Sequence, residues 1–118
     1  MVTRLGDIAY ARSGDKGSGG NIGVIAHTPA GYEWLRENLT TDVAARFFRD
    51  IHPGEVKRYE LPNLHAFNFL LPSALGGGGS ISLRSDAQGK ALGQIFLELQ
   101  LEISPDQLAK CLPPECAP

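Results

Sequence analysis

Residues 7–13, DIAYARS, set Ile8, Tyr10 and Arg12 against Ala9, Ala11 and Ser13, and residues 21–28, NIGVIAHT, form a short apolar run rich in β-branched side chains. Both patterns predict strands. In GYEWLRENL, Tyr32, Leu35 and Leu39 fall on one helical face; TTDVAARFFRDI opens with capping residues and then repeats Val43, Phe47 and Ile51 at helical spacing. His52-Pro53-Gly54 is the expected stop of that second helix, and EVKRYELP alternates again as a strand that Pro62 would interrupt. In NLHAFNFLLPSALGGGG, Leu64, Phe67, Leu71 and Leu75 make a helical stripe behind a capping Asn63, which predicts a helix. AFNFLL alone also reads as a strand, and Pro72 is a poor residue for mid-helix. From Ile95 to Ile103 apolar residues occupy every second position, against Phe96, Glu98, Gln100 and Glu102. With SISLRSD upstream and DAQGK as a turn, this predicts a long antiparallel pair from about Ser80 to Ile103.

No repeat or linker divides these elements, so the expected architecture is α+β: an antiparallel or mixed sheet with helices packed on one face. At 118 residues the chain is long enough for one domain with a true core. Residues 1–104 are assigned to it, leaving 105–118 as a tail in which KCLPPECAP promises little regular structure.

SGDKGSGGNIG, residues 13–23, places five glycines around one aspartate, one lysine and one asparagine. Successive glycines let backbone N–H groups converge on an anionic oxygen, and Lys16 would add a cation. Asp15 and Asn21 can equally bond the loop's own amides and make it a plain strand connection. The candidate ligand-binding set is Ser13, Gly14, Gly17 and Asn21, joined by the second glycine run, Gly77, Gly78, Gly79 and Ser80. Four consecutive glycines, Gly76–Gly79, cost on the order of 1 kcal/mol each in ordering relative to alanine, which close approach of a ligand or another chain would offset. Both runs are expected at the same end of the sheet. Asp15, as acid–base group, and Lys16 or Arg84, stabilising an oxyanion, are the candidate catalytic residues.

Charge and composition narrow the classes. A net charge of −2, from 11 basic and 13 acidic residues, gives no cationic field for nucleic acid. No stretch approaches the roughly 20 apolar residues that cross a bilayer, and the N-terminus lacks a leader pattern, so a cytoplasmic location is expected. His27, His52 and His65 are scattered, and Cys111 and Cys116 have no His nearby, so no metal site is expected. Free thiols fit a cytosolic chain, a disulfide across the Pro-Pro turn an oxidising one. Trp34, Phe47 and Phe48 read as core. A strand that long at the sheet edge invites burial against a second copy or a larger partner.

LGDIAYARSGDKG, NIGVIA, RYELPNLHAFNF and ALGGGGSISLRSDAQGKALGQ occur in that order, and over about Leu5 to Ile103 the chain resembles the ferredoxin-fold-like C-terminal domain of the acyclic terpene utilisation protein A (AtuA) family. The resemblance implies a ferredoxin-like sheet and a place in acyl-CoA or carboxylate catabolism. In that family the domain usually follows a much larger region, absent from this sequence, and it also occurs as a separate small protein. Ser18-Gly19-Gly20 stands where relatives often carry more polar residues. Two functional expectations follow: a small subunit whose glycine runs meet a larger AtuA-like partner or an anionic ligand, or a stand-alone acyl-CoA hydratase or lyase using Asp15 and Lys16. No cofactor is implied beyond a CoA ester as ligand.

Overall fold

The computed structural model describes residues 1–16, 19–49, 54–72 and 90–113. The predicted strands and helices of the first half form: β2 (Ala9–Lys16), β3 (Gly19–Ala26), α2 (Pro29–Asn38), α3 (Thr41–Phe47) and β4 (Lys57–Leu61). They are preceded by a short strand, β1 (Val2–Arg4), and one helical turn, α1 (Leu5–Ile8). Thr28 and Thr40 cap α2 and α3, their hydroxyls accepting from the N–H groups of Gly31 (2.9 Å) and Val43 (3.3 Å). The stop expected at His52-Pro53-Gly54 rests on residues 52 and 53, which lie outside the described residues.

Two predicted elements are different in the structure. The helix expected from Asn63 is instead a single 3-10 turn, Pro62–Leu64, followed by strand β5 (Ala66–Leu71). His65, at φ 51°, makes the left-handed corner between them. Phe67 and Leu71 are four apart and satisfy both periods, but Phe69 is buried as well, which only alternation allows. The long strand expected to reach Ile103 is helix α4 (Lys90–Phe96), a tight turn, and the short strand β6 (Gln100–Glu102). Its alternation placed Phe96 on the outer face. In fact Leu92 and Phe96, one helical step apart, are both fully buried. The upstream half of the predicted pair, SISLRSD, lies outside the described residues.

β2, β3, β5 and β4 form an antiparallel sheet in that order, and β1 pairs antiparallel with β6 in a separate ribbon. Helices pack on the larger sheet, as the α+β reading expects. The core lies between them: Ile22, Val24, Phe67, Phe69 and Leu71 from the strands meet Leu35, Leu39, Phe48, Leu92 and Phe96. Phe96 sits at its centre, with ring centroids 5.2 Å from Phe48, 5.4 Å from Phe69 and 5.7 Å from Phe47. Arg58 on β4 closes one side. Its guanidinium donates to the carbonyls of Leu39 (2.8 Å) and Arg36 (3.0 Å) at the end of α2, while lying 5.1 Å from the Phe67 ring centroid.

The tail is not all irregular. Pro105–Cys111 form helix α5, capped by Ser104. It docks on α2, where the Thr28 hydroxyl donates to the Lys110 carbonyl at 2.8 Å. Cys111 is a free thiol with no exposed surface, and burial pushes it up from its ordinary pKa. Cys116 lies outside the described residues.

Candidate functional site

Most of the glycine-rich segment is strand rather than loop. β2 and β3 pair without interruption from Ala9 opposite Ala26 to Lys16 opposite Gly19, so that only Gly17 and Ser18, outside the described residues, separate them. Asp15 is paired with Gly20 and Lys16 with Gly19, at the closed end of the hairpin. A convergent nest of amides is not available along a ladder whose N–H groups alternate in direction, which corrects the loop geometry expected for Gly14 and for the glycines of β3.

Alternation also splits the candidate residues between two faces. Ser13 faces the helices, where its hydroxyl accepts from the Gly93 N–H at 3.2 Å and so ties α4 to β2. A side chain at Gly93 would meet Ala11 and Ser13 at 3.3 Å, so this glycine lets helix and strand approach closely. Gly14 and Asn21 are a register pair on the opposite face. A Cβ at Gly14 would come 3.0 Å from Asn21 Oδ1, so the Asn21 amide folds over the bare backbone of its neighbour. Asn21 Nδ2 in turn donates to Asn68 Oδ1 at 3.3 Å. Gly77, Gly78, Gly79, Ser80 and Arg84 lie outside the described residues. β5 ends at Leu71, opposite Gly20.

The face opposite the helices carries the residues that sequence reasoning passed over. Register aligns three rows across it: Tyr10, Ile25, Ala66 and Leu61; then Arg12, Gly23, Asn68 and Tyr59; then Gly14, Asn21, Leu70 and Lys57. Tyr10, Tyr59, Leu61 and Leu64 are exposed there, Leu64 with 65% of its surface accessible. Between the first two rows lies a cavity of about 410 Å³, whose lining includes Tyr10, Arg12, Gly23, Leu61, Leu64 and Asn68. Tyr10 stacks on His27, with centroids 5.7 Å apart and planes at 28°, which fixes one wall. The signal was present in DIAYARS, whose large side chains, Tyr10 and Arg12, alternate with small ones. The small ones face in because α4 presses on β2, and the large ones are left outside.

Inside the fold one polar group is conspicuous. Tyr32 stacks on Phe67 (4.8 Å, 18°), and its buried hydroxyl has no hydrogen-bond partner among the described residues. Burial, with the negative charge of Glu60 adding to it, pushes the phenol above its ordinary pKa. Among the described residues no group of three His, Cys, Asp or Glu side chains could hold a metal ion, and no helix is long and apolar enough to cross a membrane.

The family model described as the AtuA ferredoxin-like domain matches residues 3–102 of the chain. No curated protein and no solved structure matches it significantly.

Proposed function

The chain belongs to the AtuA ferredoxin-like domain family, and on that premise we propose that it is the small subunit of a two-component AtuA-like protein acting in acyl-CoA or carboxylate catabolism. One observation carries the proposal: among the described residues the four-stranded sheet is covered by helices on one face, and the other presents Tyr10, Tyr59, Leu61 and Leu64 to solvent. Exposed aromatic and aliphatic side chains gathered on a flat surface are what an association face offers. A domain that elsewhere accompanies a larger region has reason to keep one. The end of the hairpin at Asp15 and Lys16 is the second region that such a partner or an anionic ligand would meet.

Co-expression with the larger AtuA-like protein from the same source tests the reading. A stoichiometric complex by size exclusion with light scattering is the expected result, together with no enoyl-CoA hydration by the small chain alone. Hydration by the isolated chain, abolished in Asp15→Asn and Lys16→Ala, would replace this proposal with the hydratase reading. A chain that never associates and has no activity would overturn both.

A further inference from the structure

We infer that the cavity on the open face of the sheet is a binding site for a small carboxylate with an apolar body. This goes beyond the subunit reading, because it concerns a molecule that the chain binds by itself while no partner covers that face.

The first argument is Gly23. It lies in β3, an inner strand of the sheet, where glycine is destabilising relative to alanine. Its φ is not positive, so no turn or bulge requires it. Nor does packing among the described residues require it: there an added Cβ would meet only the Arg12 carbonyl oxygen, at an ordinary 3.8 Å. Gly93 and Gly14 show what a sterically required glycine looks like in this protein, with neighbours at 3.3 and 3.0 Å. Among the described residues Gly23 answers to no packing or backbone need. What its missing side chain does is lower the floor of the cavity, at the point where Arg12 flanks it on one side and Asn68 on the other. Glycine inside a strand is a recognised mark of close approach by a ligand.

The second argument is the chemistry of the rim. Arg12 is exposed and has no ion-pair or hydrogen-bond partner among the described residues. The three register rows carry two cations, Arg12 and Lys57, and no carboxylate, although the chain as a whole is net acidic. The Asn21–Asn68 bond uses the Asn68 oxygen and leaves its Nδ2 hydrogens as donors in the same register row as Arg12, across Gly23. A long guanidinium side chain and an amide N–H₂ on either side of that floor suit the two oxygens of a carboxylate. On the other side, Tyr10, Ile25, Leu61 and Leu64 offer an apolar wall, with the Tyr10 ring held by His27. About 410 Å³ is within the size range of small-molecule sites.

The test uses the full-length chain alone, labelled with nitrogen-15, and follows backbone amide shifts with hexanoate, acetate and hexylamine as probes. Hexanoate is expected to shift the amides of Arg12, Gly23 and Asn68 saturably in the millimolar range. Acetate lacks the apolar body and hexylamine the negative charge, so both should bind at least about tenfold more weakly. Arg12→Gln removes an exposed, unpartnered charge and should weaken hexanoate binding about tenfold with the fold intact. Gly23→Val should abolish binding by filling the floor; should it fail to fold, Gly23→Ala makes the same comparison with one methyl group. Equal shifts from hexanoate and hexylamine would overturn the carboxylate assignment, and equal shifts from acetate the apolar one. Absence of saturable shifts, or full binding by Arg12→Gln and Gly23→Ala, would overturn the site itself. Because no partner is present, each of these results is independent of whether the two-component complex forms.

Discussion

The two faces of the four-stranded sheet are built from alternate residues of the same strands, yet they obey different constraints. On the covered face of β3, Ile22 and Val24 are fully buried against the helices; Gly23, between them, looks the other way. On β2 the covered positions are Ala9, Ala11 and Ser13, small because α4 packs directly on that strand, while Tyr10 and Arg12 point to solvent. The covered face is filled by packing, with Ile22, Val24, Phe67 and Phe69 fully buried and the Ser13 hydroxyl accepting from the Gly93 N–H. The open face has a glycine and a cation for which the described residues show no partner, beside an Asn68 amide bonded through its oxygen to Asn21. A strand can therefore be fully committed to stability on one side and left for recognition on the other, since period-two alternation decouples the two.

The contrast predicts how substitutions divide. Phe69→Ala on the covered face should lose about 3–5 kcal/mol in urea denaturation, because it empties the space against Phe96. A loss below about 1 kcal/mol would mean that the aromatic cluster does not organise the core. Gly93→Val should cost about 1–3 kcal/mol through overpacking against Ala11 and Ser13. Buried titratable groups on the helix side give the next effect. The folded pKa of Cys111 is raised, so its contribution is complete below the unfolded value of about 8.5 and is lost as pH rises through the folded one. The slope should approach at most about 1.4 kcal/mol per pH unit, and Cys111→Ala should flatten that limb when unfolding is compared at neutral and alkaline pH. Tyr32→Phe should flatten the part that lies at still higher pH, by the same sign argument. The smallest effect has the opposite sign. Gly23→Ala on the open face should leave stability unchanged or raise it by about 0.4–1 kcal/mol, since none of the described residues occupies the space of its methyl group. Destabilisation by Gly23→Ala would erase the distinction between the two faces.

Much of this organisation was legible in the residues, and the failures have a common physical origin. α2 and α3 announce themselves by helical stripes behind threonine caps, and β2, β3 and β4 by alternation or by β-branched runs. β5 and α4 were misread because positions four apart coincide for periods 2 and 3.6, and Phe67 with Leu71, or Leu92 with Phe96, fit either. What decides them is the burial of Phe69 and of Phe96, which depends on a neighbouring layer and not on local pattern. The family was readable from collinear motifs. The candidate site was readable only in part: Gly14 and Asn21 do belong to the open face, whereas Ser13 serves helix docking. Gly23 was counted with the turn-forming glycines, because a glycine's reason for being there is seen only once its neighbours are known.

The ribbon of β1 and β6 sets an order of events for synthesis. The Met1 amine donates to the Ile103 carbonyl at 3.3 Å, and the Ile103 N–H donates back to Met1 at 3.0 Å, a closure across 102 positions. Val2–Arg4 therefore has no strand partner until Gln100–Glu102 has left the ribosome. The β2–β3 hairpin, closed by neighbours in sequence, can form long before. A chain halted before residue 99 would hold Leu5, fully buried in the finished fold, without the Leu99 carbonyl to which its N–H donates at 2.8 Å. Nascent chains of increasing length should accordingly gain protease resistance at β1 in one late step, well after the hairpin has become protected.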